Sequence, residues 1–249
     1  MNKKKLVDLT EKDRERYDRQ IMIDGFEEVG QRRLKSTTAF IAGAGGLGSP
    51  ASIYLAVAGM GKLKIVDNDK VDLNNLNRQI LYSHKDIGNP KAKAAEKNLE
   101  RYNKDIEIEG MNVTISENNI DDLVKDCDLI VDCMDNYETR YLLNQASLDH
   151  NIPFFHAAVH GMRGQASTFI PGETACLKCI VPSSPSSETF PVLGATPGLL
   201  ATVQVHEVVK YVVGLDNLLS NQLLIVEDGS HFDTIEIEKN PDCDACGHL

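Results

Sequence analysis

The run Gly43-Ala44-Gly45-Gly46-Leu47-Gly48 limits what this chain can fold into more than any other stretch. An apolar segment, Thr37 to Ala42, leads into it, and a second, Leu47 to Ala58, leads out. Strand, glycine turn and helix in that order satisfy the Gly-x-Gly-x-x-Gly fingerprint in the context it requires. The glycines permit a tight turn, and phosphate oxygens can then reach backbone N–H groups at a helix N-terminus. Lys62 to Asp67 reads as a second strand. Its closing acid falls about twenty residues on, where a carboxylate would bond ribose hydroxyls. The fold class predicted is α/β: a Rossmann-like, doubly wound, mostly parallel sheet. The fingerprint itself asks only for an adenosine ribose with phosphates nearby, and leaves NAD open.

Alternation of helix and strand continues to about residue 160. Helices are expected over Lys91–Tyr102, Ser116–Asp126 and Tyr137–Asp149. Strands are expected over Ile106–Val113, Asp128–Cys133, Ile152–Val159 and Gln165–Ile170. Upstream, Thr10-x-x-Asp13 resembles a capping box, so a helix carrying Arg14, Arg16, Tyr17, Arg19 and Gln20 should begin near Glu11. After residue 160 the character changes. Pro182 to Pro191 is rich in Ser and Pro and should form a mobile exposed loop. A helix from Thr196 to Val213 opens with Pro197, and two late antiparallel strands follow at Leu223–Val226 and Thr234–Ile237. No linker divides the 249 residues. One unit is expected, with a helical arm (1–35), a nucleotide-binding core (36–160) and a final part (161–249).

The net charge of −11 argues against nucleic-acid or anionic-membrane partners, which need a basic footprint. Ser36 to Gly61 carries no charge, yet its glycines, alanines and serines suit a strand, loop and buried helix better than a membrane span. Lys3-Lys4-Lys5 is not followed by an apolar export segment, so a cytoplasmic location is expected. Six cysteines in a reducing compartment point to metal ligation. Cys176-x-x-Cys179 and Cys243-x-x-Cys246 offer four thiolates, which suits tetrahedral structural zinc and leaves no open position for water. Cys127 and Cys133 sit among apolar residues and read as core thiols.

Between the glycine run and residue 91 lies chemistry that a hydride-transfer enzyme does not need. Asp67 to Gln79 is dense in polar groups. Arg78 and Lys91 suit a triphosphate, one as a fork and the other as a point charge. Asp135 closes the third strand at the same sheet edge, where a carboxylate could hold Mg²⁺, cap the next helix, or both.

With these motifs in place the chain resembles the ThiF/MoeB/HesA family of sulfur-carrier adenylyltransferases, relatives of ubiquitin-activating enzymes. The residues that carry the likeness run from Arg16-Tyr17-x-Arg19-Gln20 through GAGGLG, N-L-N-R-Q, G-N-P-K-A, D-C-M-D-N, C-L-K-C and G-A-T-P-G to the last cysteine pair. The resemblance implies a homodimer that uses ATP and Mg²⁺ to adenylate the C-terminal glycine of a small β-grasp carrier ending in Gly-Gly. By position it implies that Gly43, Gly45, Gly46 and Gly48 hold the phosphates and Asp67 the ribose. Asp69, Asn74, Asn75, Arg78, Gln79 and Lys91 would line the triphosphate, and Asp135, beside Asn136, would ligate Mg²⁺. Arg19 would reach into the partner's pocket, and Cys176, Cys179, Cys243 and Cys246 would hold zinc. Apolar Leu193, Leu199 and Leu200 could contact the carrier. One departure stands out. Many relatives carry a cysteine in the loop before the helix that Pro197 opens, but Val181 to Pro197 has none, and Phe190 falls near that place. A covalent enzyme–carrier intermediate is therefore not expected. His156 and His160 are expected in the core or facing the carrier. A tRNA nucleoside or a peptide terminus remains an alternative acceptor.

Overall fold

The computed structural model describes residues 5–184 and 190–249. Three short helices, α1 (Glu11–Arg16), α2 (Asp18–Ile21) and α3 (Glu27–Lys35), precede strand β1 (Thr38–Ala42). Helix α4 (Gly48–Ala58) and strand β2 (Lys62–Val66) complete the first unit. Two single 3-10 turns, Leu73–Asn75 and His84–Asp86, lead to α5 (Lys91–Leu99), β3 (Glu107–Met111), α6 (Ile120–Val124), β4 (Leu129–Asp132) and α7 (Tyr137–His150). The second half holds β5 (Phe154–His160), β6 (Arg163–Phe169), α8 (Leu177–Ile180), α9 (Ala195–Val213), β7 (Gln222–Glu227) and β8 (His231–Glu236).

The eight strands form one sheet in the order β3-β2-β1-β4-β5-β6-β7-β8. Pairing is parallel from β3 to β5 and antiparallel from β5 to β8. Strand order therefore reverses between β1 and β4, and ligands of such sheets sit in the crevice at that switch point.

Alternation in the central strands builds two cores. Ala39 and Ile41 join a layer with α3, α4, α5 and α9, while Phe40 and Ala42 join a layer with α6 and α7. Leu129 and Val131 divide from Ile130 in the same way. Phe40, Phe154 and Phe155 are fully buried. Such a side chain contributes about 1.5–3 kcal/mol by leaving water. At the far edge every residue of β8 is exposed, including Phe232 and Ile235.

The expected elements are present, with differences at their ends. The helix starting at Glu11 has its capping box, but it breaks at Tyr17. That ring is buried, and its hydroxyl accepts from Asn103 Nδ2 at 2.9 Å, so the chain turns there to seat it. The helix expected over Ser116–Asp126 shrinks to α6. The Ser116 N–H is taken by Asn119 Oδ1 and the Thr114 carbonyl by Asn119 Nδ2, a local turn that competes with helix. Of the Ser- and Pro-rich stretch from Pro182 to Pro191, residues 185–189 lie outside the described residues. No helix among the described residues is long and apolar enough to cross a membrane.

Candidate active site

The glycine turn is shaped by contact as much as by conformation. Gly43 has φ +93°, and a Cβ there would stand 2.7 Å from the Cys133 carbonyl oxygen. A Cβ on Gly48 would stand 2.0 Å from the Gly43 carbonyl oxygen. These two glycines close the turn against β4. Gly45 and Gly46 face outward instead, toward Gln79 Nε2, Pro197 and the Arg78 side chain. The Ser49 N–H bonds the Gly45 carbonyl at 2.9 Å, so α4 starts directly on the turn, and its first N–H groups are directed at the crevice.

Asp67 ties this turn to the polar segment. Its Oδ2 accepts the Ala44 N–H at 2.8 Å and its Oδ1 the Asp69 N–H at 2.8 Å. Burial raises its carboxyl above the ordinary value, against the pull of Lys91 and the two N–H donors. A carboxylate has about four lone-pair sites, so Asp67 keeps capacity for hydroxyl donors. The Lys91 side chain is 7% exposed, and its ammonium pairs with Asp69 Oδ2 at 2.8 Å. Tyr82, buried beneath, donates to the Ala44 carbonyl at 2.9 Å. Arg78 donates to the Asn74 carbonyl at 2.8 Å and to Asn77 Oδ1 at 3.0 Å. Asn75 braces its own turn, accepting the Asp72 N–H at 3.0 Å and donating to Asn74 Oδ1 at 2.6 Å. Gln79 is 3% exposed, and its Oε1 is buried without a hydrogen-bond partner among the described residues. An orphaned oxygen beside a phosphate-type turn marks an incomplete polar site.

The opposite wall comes from β4. Met134 Sδ lies 3.3 Å from the position of a Cβ on Gly43, which brings the 133–136 turn onto the glycine turn. Asn136 Oδ1 accepts the Thr139 N–H at 2.9 Å and caps α7. The cap expected at Asp135 thus falls one residue later. Asp135 stays exposed, with a 3.4 Å contact from Asn136 Nδ2. The start of α9 crosses the same site: a Cβ on Gly194 would stand 2.2 Å from the Asn77 carbonyl oxygen. Beside it opens a cleft of about 290 Å³ lined by Met162, Leu193, Ala195, Thr196, Leu199, Asp228 and Gly229. Of the three leucines that could contact a carrier, Leu200 does not line this cleft and is fully buried in the core, packed as an ordinary helix residue. Arg19 is not brought to this site by its own chain. Its neighbour Gln20 bonds the Ala58 carbonyl at the far end of α4, about 15 Å of helix from the glycine turn.

The four bracket cysteines meet as a cluster whose sulfurs all lie within 4.8 Å of one another. Sγ separations are 3.9 Å for Cys176–Cys179, 3.8 Å for Cys176–Cys243 and 3.4 Å for Cys179–Cys246. Tetrahedral zinc with bonds of about 2.3 Å sets its sulfurs about 3.8 Å apart, so the donor set and spacing fit that ion. The Asn240 N–H points at Cys179 Sγ at 3.5 Å. Lys178 and Asp244, inside the two brackets, pair at 2.8 Å. Helix α7 backs the cluster. Leu148 packs on it, Asn144 Oδ1 accepts the Leu177 N–H at 2.9 Å, and the Tyr141 hydroxyl donates to the Val181 carbonyl at 2.9 Å.

A polar group that sequence reasoning missed lies under the Asp135 turn. Asp132 is fully buried beside Arg140 and His156, with no charge pattern in the sequence to mark it. His156 is accordingly a core residue. His160 is exposed and stacks on Phe190 at 5.8 Å between centroids.

A ThiF family profile matches residues 17–245. The chain belongs to the ThiF family. It is an adenylyltransferase of that family. Over 246 residues it is 40% identical to protein HesA of Leptolyngbya boryana, covering 98% of this chain and 89% of the relative. It is 33% identical to the sulfur carrier protein adenylyltransferase of Thermus thermophilus, over 96% of this chain and 92% of that one. The solved structure of E. coli MccB with ATP shares the fold at a TM-score of 0.78 and 24% identity, covering 88% of this ThiF family chain and 68% of MccB.

Proposed function

We propose that this enzyme adenylates the C-terminal glycine carboxylate of a small β-grasp sulfur carrier protein, with ATP as the donor and pyrophosphate released. The observation that carries the reading is the exposed Asp135 carboxylate set at the switch point beside the glycine turn, with Arg78 and the nearly buried Lys91 in the adjoining segment. That combination suits a triphosphate. Helix N–H groups and cations cradle its oxygens, and an acid is available to a divalent ion. Mg²⁺, held by Asp135, would neutralise phosphate charge as it develops.

The chemistry asks little more of the protein. The attacking group is the acceptor's carboxylate, already ionised at neutral pH, so no serine or histidine base is needed. A bond forms from that oxygen to the α-phosphorus, and the bond to the pyrophosphate oxygen breaks. Arg78, Lys91 and the N–H groups of the turn stabilise the charge that leaves. The cleft bounded by Met162, Leu193 and Leu199 borders Gly194, which packs on the backbone of Asn77 and Arg78, and it would give an extended, glycine-ended tail an approach.

No covalent link between enzyme and carrier is part of this reading. Residues 181–197 hold no cysteine, and Cys127 and Cys133 are buried, with burial raising both thiols (Cys127 to about 11). Zinc on the four clustered thiols would be structural. The working unit would be a homodimer in which Arg19 serves the other subunit.

The test is ATP–pyrophosphate exchange with purified carriers of the molybdopterin and thiamine types. Exchange should require one carrier, vanish when its terminal glycine is removed, and vanish in Asp135→Ala. Exchange with none of them would overturn the carrier reading in favour of a tRNA nucleoside or peptide acceptor. A reducible enzyme–carrier adduct would overturn the non-covalent route.

A further inference from the structure

The turn that carries Asp135 is held from below by a buried ion pair that the reaction does not touch. Asp132 is fully buried and Arg140 is 4% exposed. The Met134 N–H donates to Asp132 Oδ1 at 3.0 Å. Arg140 Nη2 donates to the Met134 carbonyl at 2.6 Å and to the Ala157 carbonyl at 3.0 Å. Arg140 Nε stands 3.1 Å from Asp132 Oδ2. Both polar groups of the Met134 residue, immediately before Asp135, are thus fixed by the two partners of one pair. The arrangement continues inward. His156 Nδ1–H donates to Asp132 Oδ2 at 2.7 Å, and Gln165 Nε2 donates to His156 Nε2 at 3.1 Å. Gln204 Nε2 reaches the Asp132 carbonyl at 2.8 Å.

A buried ion pair is poor value for stability alone, because desolvation offsets most of its attraction. Its use must be sought in what it orients. We infer that Arg140 and Asp132 are positioning residues that set the Asp135 carboxylate for the metal ion of the adenylation reaction. The inference rests on the reading of Asp135 given above. Groups that orient a ligand in this way typically change metal affinity or activity about 10–100-fold when removed.

The experiment is carrier-dependent ATP–pyrophosphate exchange by the whole enzyme, titrated with Mg²⁺. In Arg140→Lys the Mg²⁺ concentration for half-maximal exchange should rise about 10–100-fold. The rate at saturating Mg²⁺ and the KM for the carrier should stay near wild type. Glu207→Gln supplies the control. Glu207 is buried on α9 and bonds Thr168 and the Leu219 N–H, away from the Asp135 turn. Its loss should lower Tm without moving the Mg²⁺ midpoint. The paired change Asp132→Asn with Arg140→Met removes both charges together and should keep the fold while still raising the midpoint. A wild-type midpoint in that folded double variant, or in Arg140→Lys, overturns the inference. Normal exchange in Asp135→Ala overturns the reading beneath it. Loss in Asp135→Ala with unmoved midpoints in the Arg140 variants overturns this inference alone.

Discussion

Gly48 shows how much one hydrogen atom in place of a side chain can decide. With 2.0 Å between a Cβ and the Gly43 carbonyl oxygen, Gly48→Ala must force Gly43 and Gly48 apart and open the turn. A loss of about 3 kcal/mol is expected, measurable by urea titration. Gly45→Ala, whose Cβ would meet Gln79 Nε2 at 3.7 Å, should cost far less stability but weaken nucleotide binding. His156 makes a prediction of opposite character. Burial lowers its pKa below the ordinary 6.5, so the fold holds it neutral while the unfolded chain can take a proton. Stability is therefore whole above pH 6.5 and falls as pH drops through and below that value. His156→Gln should flatten that part of the stability–pH curve. A curve as steep as wild type would show that another group sets it. The glycine turn, Asp67, Arg78, Lys91 and the cysteines were legible because each has a spacing or a charge to mark it. The buried pairing of Asp132 with Arg140 and His156 was not. Asp132 and His156 interrupt apolar strands, Arg140 sits on a mixed helix, and their pairing arises only where β4, β5 and α7 meet.

Elements were legible where a single period runs through them. β1, β4, α4 and α9 are continuous apolar or regularly patterned, and their ends fall within a residue or two of expectation. The α1–α2 break and the short α6 were hidden because side chains, Tyr17 and Asn119, override the local pattern. The 177–180 helix is set by its neighbours. α8 starts directly after Cys176 and contains Cys179, and it is held by Asn144 and the partner bracket. A metal held by these thiols would join positions 67 residues apart. Treated as a cross-link that shortens the unfolded chain, it is worth about 4 kcal/mol. Chelation, or Cys246→Ser, should lower Tm by about 10 °C. Hydrogen exchange should rise in the 176–184 and 237–249 segments while β1 and β4 stay protected. Unchanged Tm after metal removal, verified by elemental analysis, would mean that packing alone holds the brackets.

At the scale of the whole molecule the sheet has two kinds of edge. β3 ends the parallel half and β8, exposed throughout, ends the antiparallel half. Arg19 belongs to neither half, and its place at the far end of α4 makes a test of assembly possible. Arg19→Ala and Asp135→Ala should each be inactive alone. Mixed and re-assembled as the proposed homodimer, they should recover up to about a quarter of wild-type exchange, because half the pairs would be hybrids with one intact site each. No recovery, with hybrids detected by mass, would place the role of Arg19 within its own chain or remove it altogether. Helix α7 carries a consequence of a different sort. Arg140 steadies the Asp135 turn, Tyr141 holds Val181, Asn144 holds Leu177 and Leu148 lies on the thiol cluster, all along one rod. Its outer positions are free to vary in kind, but its length is not. One residue inserted after Arg140 would rotate everything beyond it by about 100°, so descendants of this chain can drift in sequence there while insertions and deletions are confined to the loops on either side.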